Sequence, residues 1–279
     1  MLKIQKTIIN KNGERLIFDE ITSLSTFDSF YLTKTDEKVG LLSKDGIEII
    51  KPSYDRITST EYKCFIVEKD KKYGLVNTTG DLIIPVKYTA IDAYCRENMV
   101  KIYLDEKVGF FNFSTNRFIE PIYNHADTFF NGTTKVQEEG KYGFINRQGV
   151  EIIPVKYEYI SDFYENVAKT RINNKWGYIT RDGFEILPPE YDEIAGFHAG
   201  YGFARQGKSN ICVDQSGKII FMLYIDSGIQ LANDGYKELS FDWCDEYFKF
   251  NCGLNLIRQG RRYRCETDDG YTISQPFYD

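Results

Sequence analysis

Short runs of apolar residues alternate with polar turn residues along most of this chain, and the runs recur in a fixed frame. Counted from Lys175, an aromatic stands at +1 (Trp176), then Gly177, two apolar residues and Gly183 at +8. An apolar pair (Ile186, Leu187), Pro188–Pro189, Tyr191 at +16, Ile194 at +19 and Phe197 at +22 complete the frame. The same frame opens at Lys38, Lys72, Lys107 and Lys141, so the steps between origins are 34, 35, 34 and 34 residues. Its fixed points are Gly40, Gly74, Gly109, Gly143 and Gly177 at +2, and Tyr54, Tyr88, Tyr123, Tyr157 and Tyr191 at +16. In the Lys107 copy Thr115 stands where the turn glycine belongs.

Within one copy the pattern predicts three strands. An alternating segment such as Val167–Arg171 comes first, and a polar pair such as Asn173–Asn174 or Asp36–Glu37 supplies a tight hairpin. The run beginning at the lysine is the second strand, and the +8 glycine supplies a left-handed turn residue cheaply. The third strand carries the apolar pair and is expected to end at proline, which cannot donate to a ladder. A glycine inside the second strand weakens it, so its presence needs a reason. The expectation is that an aromatic ring lies across its bare backbone.

Both ends depart from the frame. Residues 1–37 read as a degenerate first copy or cap, 38–208 as five regular repeats, and 209–279 as degenerate copies with a capping segment inserted around 226–258. Ser240 followed by acidic residues, with Leu239, Trp243 and Tyr247 on one face, predicts a short capping helix there, with strand alternation as the alternative. A period of this length is the mark of a stacked array, whose terminal units shield the apolar faces of their neighbours. The expected fold is all-β, an open, curved, solenoid-like array of three-stranded repeats of about 34 residues. A closed β-propeller is the alternative, disfavoured because the two ends of the sequence do not complete one another's unit.

Composition sharpens this in a few places. Aromatic residues make up 15% of the 279 positions, nearly all Tyr and Phe, which favours strands. A net charge of −6 argues against a nucleic-acid partner. The beginning of the sequence lacks the apolar stretch of a secretory signal, and no apolar run approaches a membrane span. Six cysteines without a C-x-x-C pair and two histidines make no recognisable zinc spacing. The expectation is a cytoplasmic protein with reduced thiols, no cofactor and no metal.

The Lys175-Trp176-Gly177 triplet, with Gly183, Pro188 and Tyr191-Asp192, resembles the WG (KWG) repeat found in many bacterial proteins. The resemblance covers residues 38–197 well and the termini weakly, and only one copy carries Trp where the others have Tyr or Val. It implies a β-rich scaffold for protein interaction and carries no catalytic residues across.

No phosphate-binding glycine loop, H-E-x-x-H or G-x-S-x-G motif is present. His125 and His198 could each act as a base, but loop histidines are more often simply solvated. The copies differ most between +17 and +30, and variable loops on a repeated scaffold are the usual carriers of recognition. In Phe129–Phe130 and Phe163–Tyr164 the first ring is expected in the core and the second on the surface, although both could pack between copies. The candidate partner-binding residues are Phe130, Tyr164, His198, Tyr201, Trp243 and Tyr247. The expected function is a non-catalytic interaction scaffold, a monomer or part of a hetero-complex. It could be an immunity or inhibitor protein that neutralises its partner. A glycan or small-molecule binder and a hydrolase with an unrecognised site are the alternatives.

Overall fold

A computed structural model describes residues 6–24, 29–60, 63–92, 94, 96–224, 228–231, 237–241, 244–249, 254–259, 262–267, 269–270, 272 and 277–278. Every regular element among the described residues is a β-strand. The protein divides into two compact units, Met1–Glu139 with Ile145–Val150, and Gly140–Phe144 with Glu151–Asp279.

In the first unit a hairpin, Lys6–Ile9 with Arg15–Phe18, precedes three four-stranded antiparallel sheets. They span residues 20–54, 56–88 and 90–123, each an open meander in sequence order. The second unit contains the four-stranded sheet of residues 159–191 and two five-stranded sheets, spanning 193–231 and 237–278. None of these sheets closes into a barrel.

Three strands per repeat were expected, and the sheets of the regular repeats have four. The extra strand follows the +16 tyrosine: Ala90–Ile91, for example, pairs with Ile102 and Tyr103 of the next copy's first long strand. A two-residue strand is too short to show alternation, so the pattern hides it. The third strand also differs, because it runs on through the proline to the tyrosine, as in Glu185–Tyr191. Between the pairs Trp176↔Tyr191 and Tyr178↔Leu187, residues 188–190 face Gly177 alone. The prolines sit in this bulge on the outer edge, where no ladder hydrogen bond is lost.

The bulge explains the strand glycine, and the explanation differs from the one expected. The atoms nearest to where its side chain would stand belong to no aromatic ring. A Cβ at Gly40 would lie 2.5 Å from the Ile50 carbonyl oxygen, one at Gly143 2.6 Å from that of Ile153, and one at Gly74 2.7 Å from that of Ile84. The bulged third strand presses its own backbone against the second.

The sheets hold together face to face. One core joins Leu41, Ile50, Phe65, Val67 and Val76, and the next joins Ile66, Leu75, Ile84, Tyr88, Val100, Ile102 and Phe111. In the second unit Tyr178, Leu187, Phe197, Ala204, Ile211 and Val213 make an equivalent layer. Tyr88, Tyr123 and Tyr157 are buried, while Tyr54 and Tyr191 are half-buried. Each layer takes side chains from two sheets, so each sheet excludes water only with its neighbour's help.

The turn glycines lock the same contact. Gly80 (φ 88°) has room for no side chain, since a Cβ would meet the Ile49 carbonyl oxygen of the preceding sheet at 2.6 Å. Where Thr115 replaces this glycine, Asn116 takes the left-handed conformation instead (φ 52°), a region asparagine tolerates better than most residues.

The lysine that opens each repeat also has a structural role. Lys175 donates to Asp192 (2.5 Å), and Asp192 accepts the Gly207 amide (2.7 Å) from the hairpin of the following sheet. Lys38, Asp55 and the Asp70 amide repeat the arrangement. Lys107, Asn124 and the Glu139 amide do so with an asparagine. The hydrogen bonds from the Gly207 amide and Lys175 hold Asp192 below the usual carboxylate range.

The helix expected around Ser240 is absent. Lys237–Phe241 and Cys244–Lys249 are antiparallel strands, with Leu239 opposite Tyr247 and Tyr247 opposite Ile257. A capping signal is a weak local preference, and pairing with Leu254–Gln259 outweighs it.

Candidate interaction edge

Four times along the described residues a two-residue turn leads into a long strand. Arg96, Phe130, Tyr164 and His198 each form a bridge across such a turn, to Met99, Thr133, Val167 and Tyr201. The residues between are left-handed in all four turns: Glu97–Asn98, Asn131–Gly132, Glu165–Asn166 and Ala199–Gly200. That geometry matches the twist of the flanking strands.

In three of these turns the ring one position earlier is the anchor. Phe129 is buried edge-on against Phe110 (4.9 Å between centroids), and Phe197 packs likewise on Tyr178 (5.2 Å). Phe163 is half-buried, between Phe144 and the Arg181 guanidinium. The next ring faces solvent: Phe130 is 53% and Tyr164 59% exposed. In the first unit the Arg96 guanidinium lies over the Phe130 ring at 5.5 Å. In the second unit His198 lies against Tyr164 at 5.9 Å with the rings inclined by 30°.

Carboxylates in these turns reach the next turn along the sequence. Glu97 accepts the Gly132 amide (2.9 Å) and the Arg147 guanidinium (2.8 and 3.1 Å). Burial opposes its charge, but Arg147 and the turn amides outweigh that and hold its carboxyl below the usual range. Glu165 accepts the Ala199 and Gly200 amides (3.2 and 3.1 Å) and lies 3.5 Å from the His198 ring. The turns of adjacent sheets are thereby tied together, so an exposed ring stands on a preorganised base.

Of the residues singled out in the sequence, Phe130 stands on this edge in the first unit, and Tyr164, His198 and Tyr201 stand on it in the second. Tyr201 is half-buried at the foot of its turn. Trp243 and the side chain of Tyr247 lie outside the described residues. Arg96, Glu97, Arg147 and Glu165 carry no pattern in one copy alone. Their signal is the recurrence of a turn position 34 or 35 residues on. Tyr94 occupies +22 of a copy lengthened by one residue and is 65% exposed instead of buried.

The groups considered for chemistry have structural partners. His125 contacts Asp127 at 3.2 Å and is largely exposed. Asp192 and Glu193 are adjacent but diverge, one to Lys175 and the other to Arg205. Among the described residues no three His, Cys, Asp or Glu side chains gather as a metal site.

Comparison with known proteins gives one decisive match. Among solved structures, Hsv2p of Kluyveromyces lactis shares 10% identity over 92% of this protein and 98% of its own length, at a TM-score of 0.27. A eukaryotic initiation factor shares 10% over 92% and 87%, at 0.28. PorZ, described as a surface component of the type-IX secretion system of Porphyromonas gingivalis, shares 8% over 92% and 44%, at 0.27. No curated protein matches this sequence. The model of the WG containing repeat matches residues 40–73, 73–107, 118–142, 142–176 and 176–208, more than half the sequence. The protein belongs to the WG-repeat family.

Proposed function

We propose that this protein is a non-catalytic interaction module that binds another protein through the turn edges bearing Phe130 and Tyr164. The supporting observation is the exposure of these two rings, 53% and 59%, on turns that Glu97 and Glu165 tie to a neighbouring turn. A ring packed between copies would be buried, as Phe129 is. Rigid exposed aromatics offer contact area at small entropic cost, and such residues dominate binding hot spots. The net charge of −6 suits a basic partner. A finer reading of the same surface is neutralisation of that partner by occupancy. Affinity capture from the native source with the parent, Phe130→Ala, Tyr164→Ala and the double variant tests the proposal. Loss of a single hot-spot ring weakens binding by about thirtyfold, or ~2 kcal/mol. The same partner recovered equally by all four proteins would refute the proposal.

A further inference from the structure

We propose that Asn131–Gly132 is a deamidation site that Glu97 holds in check, and that its conversion dismantles the turn carrying Phe130. Asn–Gly occurs twice in the sequence, at Asn12–Gly13 and Asn131–Gly132. Glycine leaves its own amide nitrogen unshielded, so this dipeptide is the one most open to attack of backbone on side chain. Asn131 is exposed at the tip of its turn. The Gly132 nitrogen attacks the carboxamide carbon of Asn131, and a ring C–N bond forms. The C–N bond of the carboxamide breaks, and ammonia leaves with the proton that Gly132 loses. Water then opens the cyclic imide at either carbonyl, giving aspartate or isoaspartate. The net exchange is one water taken up for one ammonia released, without an oxidant or reductant.

Glu97 opposes the first step. The Gly132 amide donates to its Oε2 at 2.9 Å, and Arg147 grips that same oxygen from Nε (3.1 Å) and Nη2 (2.8 Å). The amide nitrogen cannot swing toward the Asn131 carboxamide without breaking this bond. Losing its proton there would also place a second negative charge beside the carboxylate. A carboxylate is far too weak a base to accept an amide proton, so Glu97 restrains the attack and does not assist it. At the other Asn–Gly, the Gly13 amide donates to the uncharged Asn10 carbonyl oxygen (2.9 Å), in a hairpin with no part in the Glu97 contact. Asn12 therefore serves as an internal clock.

The product matters because the turn has only two residues. Phe130 and Thr133 exchange both amide–carbonyl bonds across it (2.9 and 3.3 Å). Isoaspartate lengthens the backbone inside that span by one methylene, and aspartate sets a new charge in the turn that Glu97 holds. Either loosens the base on which Phe130 stands. This consequence for binding rests on the interaction reading above, whereas the chemistry does not.

The test is peptide mapping by mass spectrometry of the full-length protein, aged in mildly alkaline buffer, for the parent, Glu97→Ala and Glu97→Gln. In Glu97→Ala, Asn131 should convert about tenfold faster, the effect of losing a hydrogen bond to a charged group. Asn12 should keep its parental rate, and Glu97→Gln should fall between. Equal Asn131 rates in all three proteins, or Asn12 accelerating in step with Asn131, would overturn the proposal. Partner capture by aged parent protein separates the two halves. Undiminished capture after full conversion at Asn131 would sever the link to Phe130, while the loss of capture in unaged Phe130→Ala reports on the interaction reading itself.

Discussion

Gly143 faces the carbonyl oxygen of Ile153 so closely that a methyl group on its Cα would lie 2.6 Å from that oxygen, with the Val155 nitrogen at 2.8 Å. Both obstacles are backbone, so no rotamer change relieves them. Gly143→Ala and Gly177→Ala should each cost about 3 kcal/mol, the upper part of the range for overpacking. Gly196 has open space around it, and Gly196→Ala should stay within about 0.5 kcal/mol of the parent. Urea midpoints of the three variants decide the matter. Equal midpoints would mean that the bulge yields freely.

The turn glycines separate conformational strain from collision. Gly183 and Gly200 are both left-handed, at φ 90° and 84°, but only Gly183 has a neighbour in the way, the Ile152 carbonyl oxygen of the preceding sheet. Gly200→Ala should therefore lose about 1–2 kcal/mol from the left-handed conformation alone. Gly183→Ala should lose clearly more. Thermal melts giving the reverse order would contradict the interlock between turn and preceding sheet.

Asp192 links two sheets through Lys175 and the Gly207 amide. Asp192→Ala should lower the melting midpoint and speed hydrogen exchange at Gly207. Asp192→Asn should be much milder, because Asn124 already makes both contacts, with Lys107 and the Glu139 amide, in another copy. If the alanine and asparagine variants lose equally, charge and not hydrogen-bonding shape is what the position requires.

The parts of this molecule that a sequence exposes are those fixed by local stereochemistry. Gly183 marks a left-handed turn, Asn173–Asn174 a hairpin with both residues at positive φ, and Lys175–Thr180 a strand, each from its own residue types. Glu193–Ile194 escapes notice because two residues carry no period. The path of the third strand through Pro188 escapes because proline ordinarily ends a ladder, and only the bulge makes room for it. The lysine at each origin looks like a solvated charge until sheet stacking brings Asp192 between it and Gly207. Glu97 and Arg147 stand 50 residues apart and meet only because neighbouring sheets place their turns at the same end. Phe130 and Tyr164 were legible, since two rings in succession on one turn cannot share a side.

Tyr157 is fully buried, and its hydroxyl donates to Glu185 of the next sheet at 2.5 Å, while Lys156 reaches the same oxygen at 2.9 Å. Burial, then the adjacent carboxylate, push the phenol up. Burial also opposes the charge on Glu185, but the Tyr157 hydroxyl and Lys156 outweigh it and hold the carboxyl below the usual range. The unfolded protein therefore takes up this proton more readily than the folded one. The stability Glu185 supplies is complete above the unfolded glutamate value of about 4.3 and drains away as pH falls through the lower folded value. Tyr157→Phe should cost about 1–2 kcal/mol at neutral pH, a modest discount on a charge-assisted hydrogen bond because Lys156 remains. Glu185→Gln should be less stable than the parent at pH 7, with a gap that closes in more acidic solution. Urea unfolding at a series of pH values reads that gap directly. A gap that stays constant through the acid range would show that Glu185 acts by shape alone, and that its charge contributes nothing to the joint between these sheets.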